Sequence, residues 1–100
     1  MIDKIKIGGI TYKISCVDPA YCENNMGKVV QISEKIFLNK GLSSEALEQT
    51  LLHEILHVIY NNAALSQGDD EERIVTAISN GLYALFVDNP HAFKFTERKD

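Results

Sequence analysis

Polar and apolar residues alternate along the first forty positions of the chain, and the period then changes. Ile5, Ile7, Ile10, Tyr12 and Ile14 alternate with polar residues on either side of Gly8-Gly9. A period of two belongs to a strand with one buried face, and a Gly-Gly pair takes the positive φ angles of a tight hairpin turn without steric cost. Two hairpin strands are therefore expected. Asp18-Pro19 starts a turn or a short helical segment, and Asn24-Asn25-Met26-Gly27 marks another turn before an extended stretch from Val29 to Ile32. A last extended stretch, Lys35 to Asn39, sets Ile36 and Leu38 on one face and Phe37 and Asn39 on the other.

From Ser43 the apolar residues recur every three or four positions. Leu47, Leu51, Ile55, Val58 and Ile59 form the stripe of a helix that runs to Asn61-Asn62, with Ser43 or Ser44 as its cap and Glu45 and Glu48 near its positive end. A loop from Ser66 to Asp70 leads to a second helix, capped by Asp69 or Asp70. Its stripe is Ile74, Val75, Ile78, Leu82, Leu85 and Phe86, and it stops near Asp88 because Asn89-Pro90 cannot continue it. Ala77 and Gly81 leave a smooth patch on this helix, expected to serve packing against another helix. The fold class is α+β: a small antiparallel or mixed sheet from the N-terminal 40 residues, packed on two C-terminal helices.

Composition narrows the partners. In 100 residues, Lys+Arg 10 against Asp+Glu 14 leave a net charge of −4, which disfavours binding to phosphate backbones, and the basic cluster Lys94 to Lys99 is diluted by Glu97 and Asp100. Nucleic acid is not an expected partner. No apolar run approaches the roughly 20 residues a bilayer requires, and the start MIDKIKI alternates charge with Ile, unlike a secretory leader. A cytoplasmic protein without membrane contact is expected. Cys16 and Cys22 then read as reduced, partly buried thiols, with a disulfide as the alternative; their spacing does not suit structural zinc.

The first predicted helix contains His53-Glu54-Ile55-Leu56-His57, the HExxH arrangement of zinc metallopeptidases. At about 100° per residue the two His lie about 40° apart and one turn along, so both imidazoles reach one ion at the roughly 2.0–2.1 Å of a Zn–N bond. Glu54 lies about 60° from His57 on the other side, close enough to hold a water without being a ligand. On the helical wheel the apolar residues from Leu47 to Ile59 fill one half, and His53, His57 and Glu54 share a separate face.

A catalytic zinc takes three protein ligands and a water. His57 is followed by Val58-Ile59-Tyr60-Asn61-Asn62-Ala63, so the third His of a metzincin is missing. A Glu from the next helix is the other route, as in thermolysin-like enzymes, and Glu71 and Glu72 both open that helix. Acids there also favour the helix dipole, and Asp69-x-x-Glu72 has the form of a capping box. Glu71 falls in the middle of the apolar stripe and Glu72 at its edge, near Ser79, Thr76 and Tyr83, which favours Glu72.

These residues resemble the gluzincin metallopeptidases, in size the minimal bacterial and phage members related to the ImmA/IrrE type. The resemblance runs from Lys35 to about Pro90 and implies that residues 1–100 are one zincin-like metallopeptidase domain. It implies Zn²⁺ held by His53, His57 and Glu72, with Glu54 activating a zinc-bound water for peptide hydrolysis. It also implies an edge strand, here Lys35 to Asn39, that binds an extended peptide or protein substrate. The family's Asp four residues after the ligand Glu, which supports a His ligand, is Thr76 here. Tyr60, Tyr83, Tyr21 and His91 are the candidates for an oxyanion-stabilising group. The alternative function is a zinc-stabilised regulatory or protein-binding module with little or no peptidase activity.

Overall fold

The structure, a computed structural model, describes residues 2–63 and 70–91. The alternating first forty residues form four strands, β1 (Lys4–Ile7), β2 (Ile10–Val17), β3 (Gly27–Val30) and β4 (Lys35–Asn39), and two helices follow, α1 (Ser44–Asn62) and α2 (Glu71–Asp88). The molecule is α+β, as the pattern predicts. Gly8 and Gly9 turn the β1–β2 hairpin at φ of +57° and +87°. Short 3-10 turns occupy Pro19–Cys22 and Gln31–Ser33, so the third strand starts two residues earlier than expected and ends before Ile32. The loop expected from Ser66 to Asp69, the Asp69 cap and the Lys94 to Lys99 cluster lie outside the described residues.

The sheet order is β1-β2-β4-β3. β1 and β2 are antiparallel, β2 and β4 parallel, and β3 and β4 antiparallel. This corrects the expected position of Lys35–Asn39. β4 is an interior strand, and among the described residues the edge on its side of the sheet belongs to β3. The reason is the antiparallel addition of Gly27–Val30 beyond it; flanked on both sides, β4 keeps Ile36 and Leu38 fully buried.

Ile7, Tyr12, Ile14, Ile36, Leu38 and Val58 form the core, flanked by Ile5, Val29, Leu47, Leu51 and Ile55. Helix α1 therefore lies on the sheet. Its start is set by Ser43, whose Oγ accepts from the backbone N–H of Ala46 at 3.2 Å. The row of α1 that is buried is Thr50, Glu54 and Val58, one side of the apolar arc. Ile59 on the far side of that arc stays 46% exposed. Glu54 thus points under the sheet instead of sitting beside the core as the helical wheel suggests.

Helix α2 packs on α1 through Val75 and Ser79, its two buried residues. Its predicted stripe is only partly used, since Ile74, Ile78, Leu85 and Phe86 are exposed. The expected packing patch also faces outward: Ala77 and Gly81 are exposed, and a Cβ at Gly81 would have nothing within 4 Å. Polar contacts explain this rotation. Gln49 of α1 donates to Asn80 of α2 at 3.0 Å, and His53 and His57 meet Glu72 and Glu71. Those contacts turn the stripe away from α1. Among the described residues, no helix is long and apolar enough to cross a membrane. Cys22 is fully buried, its thiol pKa raised by burial and by the Glu54 charge, whereas Cys16 is exposed.

Gly27 is the residue that lets β3 approach α1. A Cβ there would lie 2.7 Å from Cγ2 of Thr50 and 3.2 Å from Cγ and Oε2 of Glu54, closer than side chains pack without displacement. Gly27→Ala is expected to cost about 1–3 kcal/mol through overpacking, a fall in Tm of about 4–8 °C for each kcal/mol. Thermal unfolding followed by circular dichroism checks this, and an unchanged Tm would show that β3 is free to move off the helix.

Candidate metal centre

The HExxH residues sit in the middle of α1, where the turns before and after fix the backbone, and α2 delivers its first turn across them. Consecutive residues of a helix diverge by about 100°, and Glu71 and Glu72 accordingly take up different positions around His57. Oε1 of Glu72 lies 2.8 Å from Nε2 of His53 and 3.0 Å from Nε2 of His57. The two Nε2 atoms are 3.1 Å apart. Three donor atoms thus form a nearly equilateral triangle. Glu71 is on the other side of the ring, its Oε2 2.8 Å from Nδ1 of His57. The structure therefore brings His53, His57 and Glu72 together, and Glu71 does not face their common point. The Glu72 carboxylate is turned to the two His, and the Asp69 half of the expected capping box lies outside the described residues.

The hydrogen-bond partners orient the rings. A carboxylate only accepts, so Nδ1 of His57 donates to Glu71 and the lone pair of a neutral His57 lies on Nε2. Oγ of Ser79 donates to the carbonyl oxygen of Thr76 at 3.2 Å, which leaves its lone pair towards Nδ1 of His53, 3.5 Å away. By the same rule Nε2 of His53 donates to the carboxylate of Glu72, 2.8 and 3.2 Å from its two oxygens, and that proton is the one a metal would displace. With the ring protons displaced by a cation, two ring nitrogens and a carboxylate oxygen would converge on it as electron-pair donors. Burial alone would lower the pKa of His57, but hydrogen bonds to Glu71 and Glu72 and the charges of Glu72 and Glu54 outweigh it and raise the pKa. Burial would likewise raise the pKa of Glu72, and the two His outweigh it and hold it below the usual carboxylate range.

The donor set fits zinc. Two imidazole nitrogens and one carboxylate oxygen are the chemistry of a catalytic zinc site, and tetrahedral bonds of about 2.0–2.1 Å separate donor atoms by roughly 3.3 Å. The edges of 3.1, 2.8 and 3.0 Å are slightly shorter, so a small outward rotation of the side chains suffices. His53, His57 and Glu72 are the described residues grouped closely enough to hold a metal ion.

Glu54 stands apart from this triangle. It is 8% exposed and lies against Gly27 on the edge strand. Its pKa is raised by burial above all, with His53 and His57 pulling it down and Glu72 pushing it up. A cleft of about 700 Å³ runs over the site, between Asn25, Met26 and Gly27 on one side and Thr76, Ser79 and Asn80 on the other, and His53, Glu54, His57 and Glu72 all reach it. Tyr21, Tyr60, Tyr83 and His91 do not line it, so none of the oxyanion candidates named from the sequence stands at the site.

Three contributors were not visible in the sequence: Ser79 behind His53, Asn61 beside Glu71, and Gly27 against Glu54. A helical wheel places Ser79 near Glu72, but only the packing of α2 on α1 shows which His it meets. Compared with known protein families, curated proteins and solved structures, the chain matches none.

Proposed function

We propose that the chain is a small zinc-dependent metallopeptidase of gluzincin type. The observation that carries this reading is the convergence of three groups able to ligate a metal with a buried carboxylate just outside them, all opening on one cleft. A structural zinc would need the triangle and a fourth ligand; it would have no use for Glu54. His53, His57 and Glu72 would hold the ion. Zinc in such a site polarises a carbonyl and acidifies water.

The chain's own residues supply the rest. Glu54 takes a proton from the attacking water and returns it to the leaving amine, and its raised pKa brings it nearer the range in which one group does both. β3 supplies the substrate rail. The bond from the N–H of Asn39 to the carbonyl of Met26 at 2.8 Å makes those two a bonded pair, and antiparallel alternation then directs the backbone groups of Gly27 and Val29 to the open edge. An extended peptide paired there passes along the cleft wall beside Glu54.

Metal analysis of the purified protein is expected to find about one zinc per chain. Chelation should abolish cleavage of a mixed peptide pool and zinc should restore it. Cleavage that survives complete zinc removal would overturn the assignment. One observation favours the second reading, a zinc-stabilised binding module: among the described residues the cleft lacks a Tyr or a third His to stabilise an oxyanion. Stoichiometric zinc without cleavage of any peptide would favour that module.

A further inference from the structure

Glu71 and Glu72 are neighbours in the same helical turn, yet their side chains differ in environment: Glu71 is 17% exposed and Glu72 62%. An acid that served only the helix dipole would be solvated. Glu71 instead faces inward, with its Oε2 2.8 Å from Nδ1 of His57. Nδ2 of Asn61 reaches the same oxygen at 3.4 Å and also donates to the carbonyl of His57 at 2.8 Å. The imidazole of His57 is therefore wedged between two consecutive acids, one on each ring nitrogen. The contact on Nδ1 cannot join an ion on Nε2, because the two nitrogens lie on opposite edges of the ring.

We propose that Glu71 is the positioning residue of the metal site: it holds the Nδ1–H of His57 so that the Nε2 lone pair stays on the point shared with His53 and Glu72. The assignment rests on the zinc reading above. A carboxylate on the far nitrogen fixes both the tautomer and the ring orientation of a ligand His and increases its basicity. His53 has a weaker counterpart in Ser79, a neutral hydroxyl at 3.5 Å, so His57 is the more firmly held of the two. This arrangement also answers the Thr76 found four residues after Glu72. The support comes from the residue before the ligand instead of the fourth after it, and it reaches the second His of the motif.

The test is zinc affinity by chelator competition on the full chain, with the absorption spectrum of the cobalt-substituted protein as a report on the ligand set. Glu71→Ala is expected to weaken zinc binding about 10–100-fold and to leave the cobalt spectrum of wild-type form, because no ligand is lost. Glu71→Gln, whose amide oxygen still accepts from Nδ1, should recover part of that loss, which a merely structural role would not produce. Glu72→Ala should change the spectrum. Wild-type affinity in both Glu71 variants would overturn the proposal, and so would a changed cobalt spectrum, which would make Glu71 a ligand. If Glu71→Ala does not fold, as judged by circular dichroism of the metal-free protein, the Glu71→Gln affinity decides: unchanged binding overturns the proposal and weakened binding supports it. Failure of the wild type to bind zinc would count against the proposed function and is read separately, from the unmutated chain.

Discussion

Glu54→Gln is expected to bind zinc as tightly as the wild type and to cleave peptides roughly 10²–10⁴ times more slowly, the usual contribution of a general base. The two halves of this result come from different parts of the geometry. Zinc is retained because Glu54 is not one of the three converging donors, and Gln preserves the shape packed against Gly27. Activity is lost because an amide at that position cannot take a proton, and the described residues grouped around the triangle offer no second base so placed: Glu72 is turned to both His and Glu71 to the far side of His57. The measurement is a cleavage rate on the wild-type substrate pool, paired with metal content of the same preparation. A Glu54→Gln protein that cleaves at the wild-type rate would sink the mechanism while leaving the metal site intact. One that loses both metal and activity would show that Glu54 shapes the site instead of acting in it.

How far the sequence alone reaches can be judged residue by residue. The α+β class, the Gly8-Gly9 hairpin and both helices follow from local periodicity, because each depends on neighbours within a few positions. So does the pairing of His53 with His57, one helical turn apart. The order of strands does not. Lys35–Asn39 has the same alternation whether it lies inside the sheet or at its edge, and only the antiparallel addition of Gly27–Val30 makes it interior. The rotation of α2 is likewise beyond local pattern. Its apolar stripe predicts that Ile74 and Ile78 face the core, but the contacts of Gln49 with Asn80 and of the His pair with the two acids hold a different row inward. Polar contacts at the site therefore decide the helix orientation against the hydrophobic pattern, a conflict that is common where function constrains a fold. The choice between Glu71 and Glu72 turns on that same rotation. Both acids contact His57, and only three-dimensional placement separates a position facing both His from one behind a single ring.

The second large effect concerns stability. A ligand that binds only the folded state adds RT ln(1 + [L]/Kd), about 2.7 kcal/mol at a free zinc concentration 100 times Kd. At about 4–8 °C per kcal/mol for a domain of this size, zinc should raise Tm by roughly 10–20 °C. His53→Ala removes one corner of the triangle and should abolish that rise. In the metal-free state the same substitution is expected to change stability by less than about 1 kcal/mol. The ring is only partly enclosed, with 22% of its side chain exposed, and the hydrogen bond lost with it goes to Glu72, a carboxylate that water can reach. The zinc-dependent and zinc-free effects of one mutation therefore differ in size by design of the site. Thermal scans with excess zinc and with chelator separate them. Equal Tm values for wild-type protein in the two conditions would mean that the folded chain gains nothing from zinc, and the triangle of His53, His57 and Glu72 would then be a proton-bridged cluster that ties α2 to α1.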